Sequence, residues 1–175
     1  MEGIYLEILH DDDREKFIKD NQEAFNYGAL EEFGLRDDHF EEEGEIISAK
    51  TIEVCIDKGE ALRIMQDGKI VGGMVVNIKD DKGVLELLFV SPTEHGKGIG
   101  YAAWCEAERR YPQVKVWETF TPYFEKRNIH FYVNRCGFSI VEFFNKIHPE
   151  RHEDSSEQST EEMFRFEKRM DGDKI

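Results

Sequence analysis

The sequence contains no long apolar run. Nothing in its 175 residues approaches the about 20 consecutive apolar positions that a membrane-spanning helix needs. Positive charge is scarce as well, with 23 Lys plus Arg against 38 Asp plus Glu, a formal net charge of -15. A polyphosphate backbone would be repelled by such a surface, so nucleic acid is excluded as an expected partner. Cysteine is limited to Cys55, Cys105 and Cys136, an odd number with no CxxC pair. That excludes a disulfide framework and a thiolate zinc site, and a reducing cytoplasm is the expected compartment. Met1 to Asp13 has neither a basic flank nor a signal-like apolar core, so a soluble, unprocessed protein with no membrane partner is expected. What is present, 39% apolar residues in a chain of this length, suits one domain spanning residues 1–175.

Along the chain, Gly3 to Leu9 alternates like a short strand and meets Asp11, Asp12 and Asp13, acids suited to a helix N-terminus. The helix that follows carries Phe17, Ile18, Asn21 and Phe25 and is predicted to end near Gly28 or Gly34. Between Glu31 and Glu45 stand eight acids and one basic residue, Arg36, too polar to build a core. A second helix starts at Ser48 and buries Ile52, Cys55 and Ile56. Leu62 to Gln66 and Ile70 to Ile78 flank Asp67-Gly68, the residue pair that a two-residue hairpin turn demands.

A turn at Asp80 to Gly83 leads into Val84 to Val90, an apolar run interrupted only by Glu86 and predicted to be a central strand covered on both faces. A helix with Ala103, Trp104, Ala107 and Tyr111 on its buried face is stopped by Pro112, and Val114, Val116 and Trp117 open the next strand. Strand, helix and strand at these lengths imply a parallel crossover, hence a mixed α/β fold. A helix from about Pro122 to Cys136, a strand from Phe138 to Phe144, a mobile loop over residues 145–162 and a last strand from Met163 to Lys168 complete the reading.

Chemistry first shows in His95-Gly96-Lys97-Gly98-Ile99-Gly100, between a strand and a helix. Backbone N–H groups there can approach an anion with no Cβ in the way, aided by the helix dipole, and a pyrophosphate fits that description. ATP and NAD are disfavoured: GxxxxGK[ST] is absent, and GxGxG is not the GxGxxG of a dinucleotide fold. A purely structural glycine turn is the alternative for this motif taken alone.

Leu88-Phe89-Val90-Ser91-Pro92, the glycine segment, and Asn128-Ile129-His130-Phe131-Tyr132 ahead of Gly137-Phe138 together resemble the coenzyme A motifs of the GNAT acetyltransferase superfamily. The order of elements is similar over nearly the whole chain. Two departures stand out: His95 replaces the usual Gln or Arg, and the segment from Tyr132 to Gly137 is one residue longer than usual. The resemblance implies a mainly antiparallel central sheet with a β-α-β crossover, acetyl-CoA as donor substrate, an amine of a small molecule or peptide as acceptor, and no metal. It is compatible with a homodimer.

The same resemblance, set against the chemistry, distributes roles. Glu86 in the central strand is the candidate base for a protonated amine, its pKa raised by apolar neighbours; otherwise it is an ion-paired or edge-pointing carboxylate. Tyr132 is the candidate acid for the departing thiolate, or else a core aromatic beside Phe131. Phe89 and Val90 would serve through their backbone, pairing with the pantetheine arm and polarising the thioester carbonyl. His95 would join the cradle through its backbone, with a modest attraction from its ring. Gly96, Lys97, Gly98, Ile99 and Gly100 form that cradle, and Asn128 could bond the pantetheine.

The acids from Glu31 to Glu45 would attract a cationic acceptor, or simply solvate a face. His148 and His152 stand four apart, but Pro149 breaks the helix that would align them, which argues against a metal pair. A catalytically silent acyl-CoA-binding or sensing module, or a purely structural protein, is the alternative to an enzyme.

Overall fold

The computed structural model describes residues 3–33, 44–151, 158–159 and 161–170. Among the described residues seven strands hydrogen-bond, mostly antiparallel, in the order Ile4–Ile8, Glu60–Gln66, Lys69–Lys79, Lys82–Val90, Val116–Pro122, Met163–Arg169, Ser139–Phe144, and the chain divides into two compact units. The first comprises residues 1–78 and 85–112, the second residues 79–84 and 113–175.

In the first unit β1 (Ile4–Ile8) is followed by α1 (Arg14–Phe33), α2 (Ala49–Lys58), β2 (Glu60–Gln66), β3 (Lys69–Lys79), β4 (Lys82–Val90), which begins in the other unit, and α3 (Ile99–Arg110). One 3-10 turn, Asp11–Asp13, starts the run into α1, and Ser48 caps α2 by accepting the Thr51 amide at 3.1 Å. Asp67 and Gly68 have φ of 51° and 78°, the two positive angles that let a β2–β3 hairpin keep its twist.

Phe17, Ile18 and Ala24 of α1 and Ile52 of α2 pack with Val75, Leu87 and Phe89 of the sheet. The Phe17 and Phe89 rings meet edge-on at 5.1 Å. That contact requires Gly73, since a Cβ there would lie 2.5 Å from Phe17 and 2.6 Å from Phe89. The buried Arg63 guanidinium is held by Asp13 at 2.7 Å and Asp20 at 3.1 Å, the pairing a buried cation requires.

β4 corrects one expectation. Gly83, Leu85, Leu87 and Phe89 are buried, but Val84, Leu88 and Val90 are half-open and Glu86 is exposed, so the strand is covered on one face rather than two. Its apolar composition reflects sheet propensity on the second face as much as burial.

The second unit contains β5 (Val116–Pro122), α4 (Lys126–His130), β6 (Ser139–Phe144), a two-residue ladder of β7 (Glu150–Arg151) with β8 (Gln158–Ser159), and β9 (Met163–Arg169). β9 runs antiparallel between β5 and β6, pairing Thr119 with Phe166 and Phe120 with Arg165, while Arg165 also faces Glu142. Adjacent strand residues point to opposite faces. Trp117, Thr119 and Thr121 are therefore buried on one face, and Glu118 and Phe120 lie on the other with Arg165 and Glu142.

The helix expected from Pro122 starts later, at Lys126. Pro122 is the last residue of β5, opposite Met163, and Tyr123 N–H donates to Glu162 O at 3.2 Å, which carries the strand path past the proline. The helix then widens: Phe131–Arg135 is π-helical, closed by Cys136 N–H on Phe131 O at 3.0 Å. The longer segment that the resemblance implies between Tyr132 and Gly137 falls on this turn, the form a helix takes when it accommodates one inserted residue. Of the loop expected over 145–162, residues 152–157 and 160 lie outside the described residues, as do 34–43 of the acidic stretch.

Candidate active site

The glycine segment joins β4 to α3 in a tight turn. β4 ends at Val90, Pro92–Glu94 make one 3-10 turn, and the chain reaches α3 through Gly96 at φ 80° and Gly98 at φ 74°. Both conformations are left-handed and disfavour any residue with a Cβ. Gly98 is the N-cap of α3 and has no side chain to cap it; the first bond into the helix is Ala102 N–H to Gly98 O at 3.1 Å. The first-turn amides of Ile99, Gly100 and Tyr101 precede that bond and have no carbonyl inside the helix, the condition under which a helix N-terminus binds an anion. A Cβ placed on Gly96 would meet no heavy atom within 4 Å, so the space beside it is open. Ile99 is buried and anchors the turn. Lys97 pairs with Glu94 at 2.8 Å on the surface, a contact weak enough to yield to a phosphate. These residues fit a pyrophosphate.

His95 does more than its position suggests. Its Nε2–H donates to the Val90 carbonyl at 2.8 Å, and its ring meets Tyr27 of α1 edge-on at 5.2 Å. A carbonyl only accepts, so the proton sits on Nε2 and that nitrogen is committed to the protein. The ring thereby ties the glycine loop to the end of β4.

Backbone direction separates Phe89 from Val90. Ser91 N–H bonds Val71 O at 2.8 Å, and a Cβ on Gly72 would lie 2.2 Å from the Phe89 carbonyl oxygen, so odd residues of β4 direct their peptide groups to β3. Those of Leu88 and Val90 point the other way. Of the two residues expected to serve through backbone, Val90 offers its N–H on the side away from β3, and Phe89 serves through its core ring. Glu86 lies on the half-open face of the same strand, two residues before Leu88. Loss of hydration raises its carboxyl above the ordinary range, partly offset by Lys58 at the end of α2.

In the second unit Tyr132 packs against Phe131, Phe138 and Phe166, with ring centroids at 5.3, 5.7 and 5.7 Å. Burial drives its phenol well above the usual tyrosine range; proximity to Cys136 adds to this and a hydrogen bond with Thr119 opposes it. Thr119 carried no sequence signal, because the contact depends on β5 passing beneath the π turn. Asn128 is exposed and its Nδ2 donates to Thr121 Oγ1 at 3.4 Å. Glu86, Val90, His95 and the glycine loop thus belong to the first unit, Asn128 and Tyr132 to the second.

His148 bonds Glu142 at 2.6 Å; its proposed companion His152 lies outside the described residues. Among the described residues no group of three or more His, Cys, Asp or Glu is placed to hold a metal, and no helix is long and apolar enough to cross a membrane.

Residues 14–138 match the model of the Acetyltransferase (GNAT) family. The uncharacterized protein YrkN of Bacillus subtilis (strain 168) is 42% identical over 178 residues, covering 95% of this chain and 94% of its own. The ribosomal-protein-S18-alanine N-acetyltransferase of Escherichia coli has a similar fold, with TM-score 0.64 at 17% identity over 98% of both chains. So does a GNAT family acetyltransferase of Elizabethkingia anophelis with acetyl-CoA bound, with TM-score 0.65 at 13% identity over 97% of this chain and 100% of that one. A family match over most of the chain, on the glycine loop and strand derived above, means that this protein belongs to the GNAT acetyltransferase family.

Proposed function

We propose that the protein is an N-acetyltransferase that moves the acetyl group of acetyl-CoA to a primary amine by direct transfer, with both units serving one acetyltransferase domain. The observation that carries this reading is Glu86, a carboxylate of raised pKa on the open face of β4, in the strand that leads to the glycine loop. An aliphatic ammonium has a pKa near ~10 and cannot attack until it loses a proton. A base whose pKa moves up toward neutrality takes that proton more readily, directly or through one water. In this reading the Val90 N–H, which points away from β3, polarises the thioester carbonyl, and the amides of residues 96–100 take the pyrophosphate of the donor.

Tyr132 supports the leaving group in a particular way. A thiol has a pKa near ~8.5, and burial moves the Tyr132 phenol further above that value, so complete proton transfer to the thiolate is uphill. What the phenol supplies is a hydrogen bond to the developing sulfur charge, with Thr119 orienting it. The absence of a cysteine nucleophile from this scheme rests on its chemistry: a base next to the amine makes an acyl-enzyme unnecessary.

The test is the pH dependence of acetyl transfer to a panel of primary amines, followed by release of the CoA thiol. Glu86→Gln should remove the acid limb of the kcat/KM profile and lower the rate by about 10²- to 10⁴-fold, most severely at low pH. Tight binding of acetyl-CoA with no amine acetylated would instead identify a silent acyl-CoA-binding module.

A further inference from the structure

The two halves of α1 are held differently. In the first half Phe17 is wedged between Gly73, where a Cβ would lie 2.5 Å from its ring, and Phe89. The Arg63 guanidinium lies 5.1 Å over that ring and pairs with Asp13 and Asp20, while Arg14 pairs with Asp57 of α2 at 2.8 Å. Farther along, the grip is slight. From residue 21 to residue 29 the apolar side chains larger than alanine are Phe25 and Tyr27. Gly28 lies on the same helix face as Asn21, seven residues on, and a Cβ there would meet no heavy atom within 4 Å.

Asn21 is the decisive residue. It follows Phe17 by one turn on the buried face and is 0% exposed, yet neither its Nδ2 nor its Oδ1 has a hydrogen-bond partner. The other buried polar side chains among the described residues are engaged: Arg63 by its aspartates, Thr119 with Tyr132, and Thr121 by Asn128. An apolar side chain would suit this surface, whereas a dry carboxamide gives up its hydration whenever the helix is seated. Lifting the helix restores that hydration.

We infer that the half of α1 from Asn21 onward is a strap that opens off the sheet about Phe17, and that CoA in the glycine loop holds it closed. The coupling rests on the coenzyme A reading above and adds a regulating element to that site; the opening stands on the helix contacts alone.

The ring contacts supply the coupling. Phe17 lies on Phe89, and Tyr27 meets His95 edge-on at 5.2 Å, so the strap crosses the end of β4 between these two residues. His95 joins the glycine loop to the Val90 carbonyl at 2.8 Å. A ligand that orders the loop fixes the His95 ring where Tyr27 meets it, and the closed strap then gains that contact with no further ordering cost. The effect is reciprocal, so a closed strap also favours the loop conformation that binds CoA. Asn26 accepts the Ile46 amide at 2.9 Å and Gln22 donates to Ile47 O at 3.2 Å, which fastens this segment to the strap. Ile47 is buried in the core and tethers the strap as it lifts. A helical piece shorter than ~12–15 residues is marginal in water without packing, so an open strap frays and its amides exchange.

The experiment follows amide hydrogen exchange by NMR in the full chain, with and without CoA, alongside calorimetry of CoA on the same samples. In the free protein residues 25–29 should exchange at least about tenfold faster than residues 71–76 of β3. Saturating CoA should slow residues 25–29 by about tenfold or more and residues 17–20 less. Asn21→Leu and Asn21→Ala both delete the unpaired groups, and the better packed of the two should melt higher than wild type and slow exchange at residues 25–29 by about fivefold or more without ligand. Tyr27→Leu, at a side chain on the surface, should still bind CoA but lose the slowing that CoA produces. Exchange at residues 25–29 as slow as in β3, or both Asn21 variants melting below wild type, would overturn the strap. CoA that binds yet slows nothing in α1, or slows it equally in Tyr27→Leu, would overturn the coupling alone. No binding of CoA at all would overturn the coupling through failure of the coenzyme A reading, with exchange in the free protein still deciding the strap.

Discussion

Replacing Gly96 by alanine separates what the glycine loop does for the fold from what it does for a ligand. Gly96 has φ 80° and a Cβ there meets no protein atom within 4 Å, so the substitution costs backbone strain but causes no clash. Left-handed strain for an L residue is roughly 1–2 kcal/mol. For a domain of this size that is about 2–8 °C of melting temperature, well within the roughly 5–15 kcal/mol that keeps a domain folded. Gly68, in the β2–β3 turn, has φ 78° and equally open space, so Gly68→Ala carries the same strain away from the loop.

The two variants should therefore melt alike and bind CoA differently. A methyl group in the open space displaces phosphate from at least one amide, and a hydrogen bond to a charged group is worth about 1.5–3 kcal/mol. The expected loss is roughly 10- to 150-fold in Kd for Gly96→Ala relative to Gly68→Ala, read by calorimetry. Equal CoA affinity in the two folded variants would refute the cradle.

Other outcomes follow from single contacts. Tyr132→Phe should reduce kcat by about 10- to 100-fold with CoA affinity nearly unchanged, the cost of one hydrogen bond to charge, and Thr119→Val should show a smaller loss of the same kind in steady-state rates. His95→Ala should weaken CoA binding several-fold by releasing the glycine loop from the Val90 carbonyl, and His95→Gln, whose amide can donate, should restore most of it. Glu142 has its carboxyl pKa lowered by His148 first and Arg165 second, so the stability it contributes is complete above the ordinary carboxyl pKa and is lost as pH falls through the lower folded value. The melting-temperature gap between wild type and Glu142→Gln should accordingly close on acidification from pH 6 to pH 3, and a gap that widened would contradict the sign.

Much of this could be read from local sequence because the determinants are local. Asp67-Gly68 fixes two positive φ angles without reference to anything distant, Ser48 caps the helix it begins, and Ala103, Trp104 and Ala107 define the buried face of α3 by spacing alone. The place of the glycine loop between β4 and α3, and of Glu86 within β4, was legible for the same reason. The row Phe120, Arg165 and Glu142 was not, since it exists only once β9 inserts between β5 and β6 and brings residues more than 20 apart into register. The Thr119 contact with Tyr132 depends on β5 passing beneath a π turn, and neither residue signals the other along the chain. The open face of β4 was hidden because Val84, Leu88 and Val90 are apolar whether or not anything covers them.

Direct transfer from acetyl-CoA to an amine is the central claim, and intact-mass analysis of a single turnover tests it. Enzyme mixed with stoichiometric acetyl-CoA and no amine should remain unmodified at Cys55, Cys105 and Cys136, and addition of an accepted primary amine should place one acetyl group on the amine as CoA is released. An acetylated protein that forms before amine is added, and passes its acetyl group on at the steady-state rate, would contradict the account.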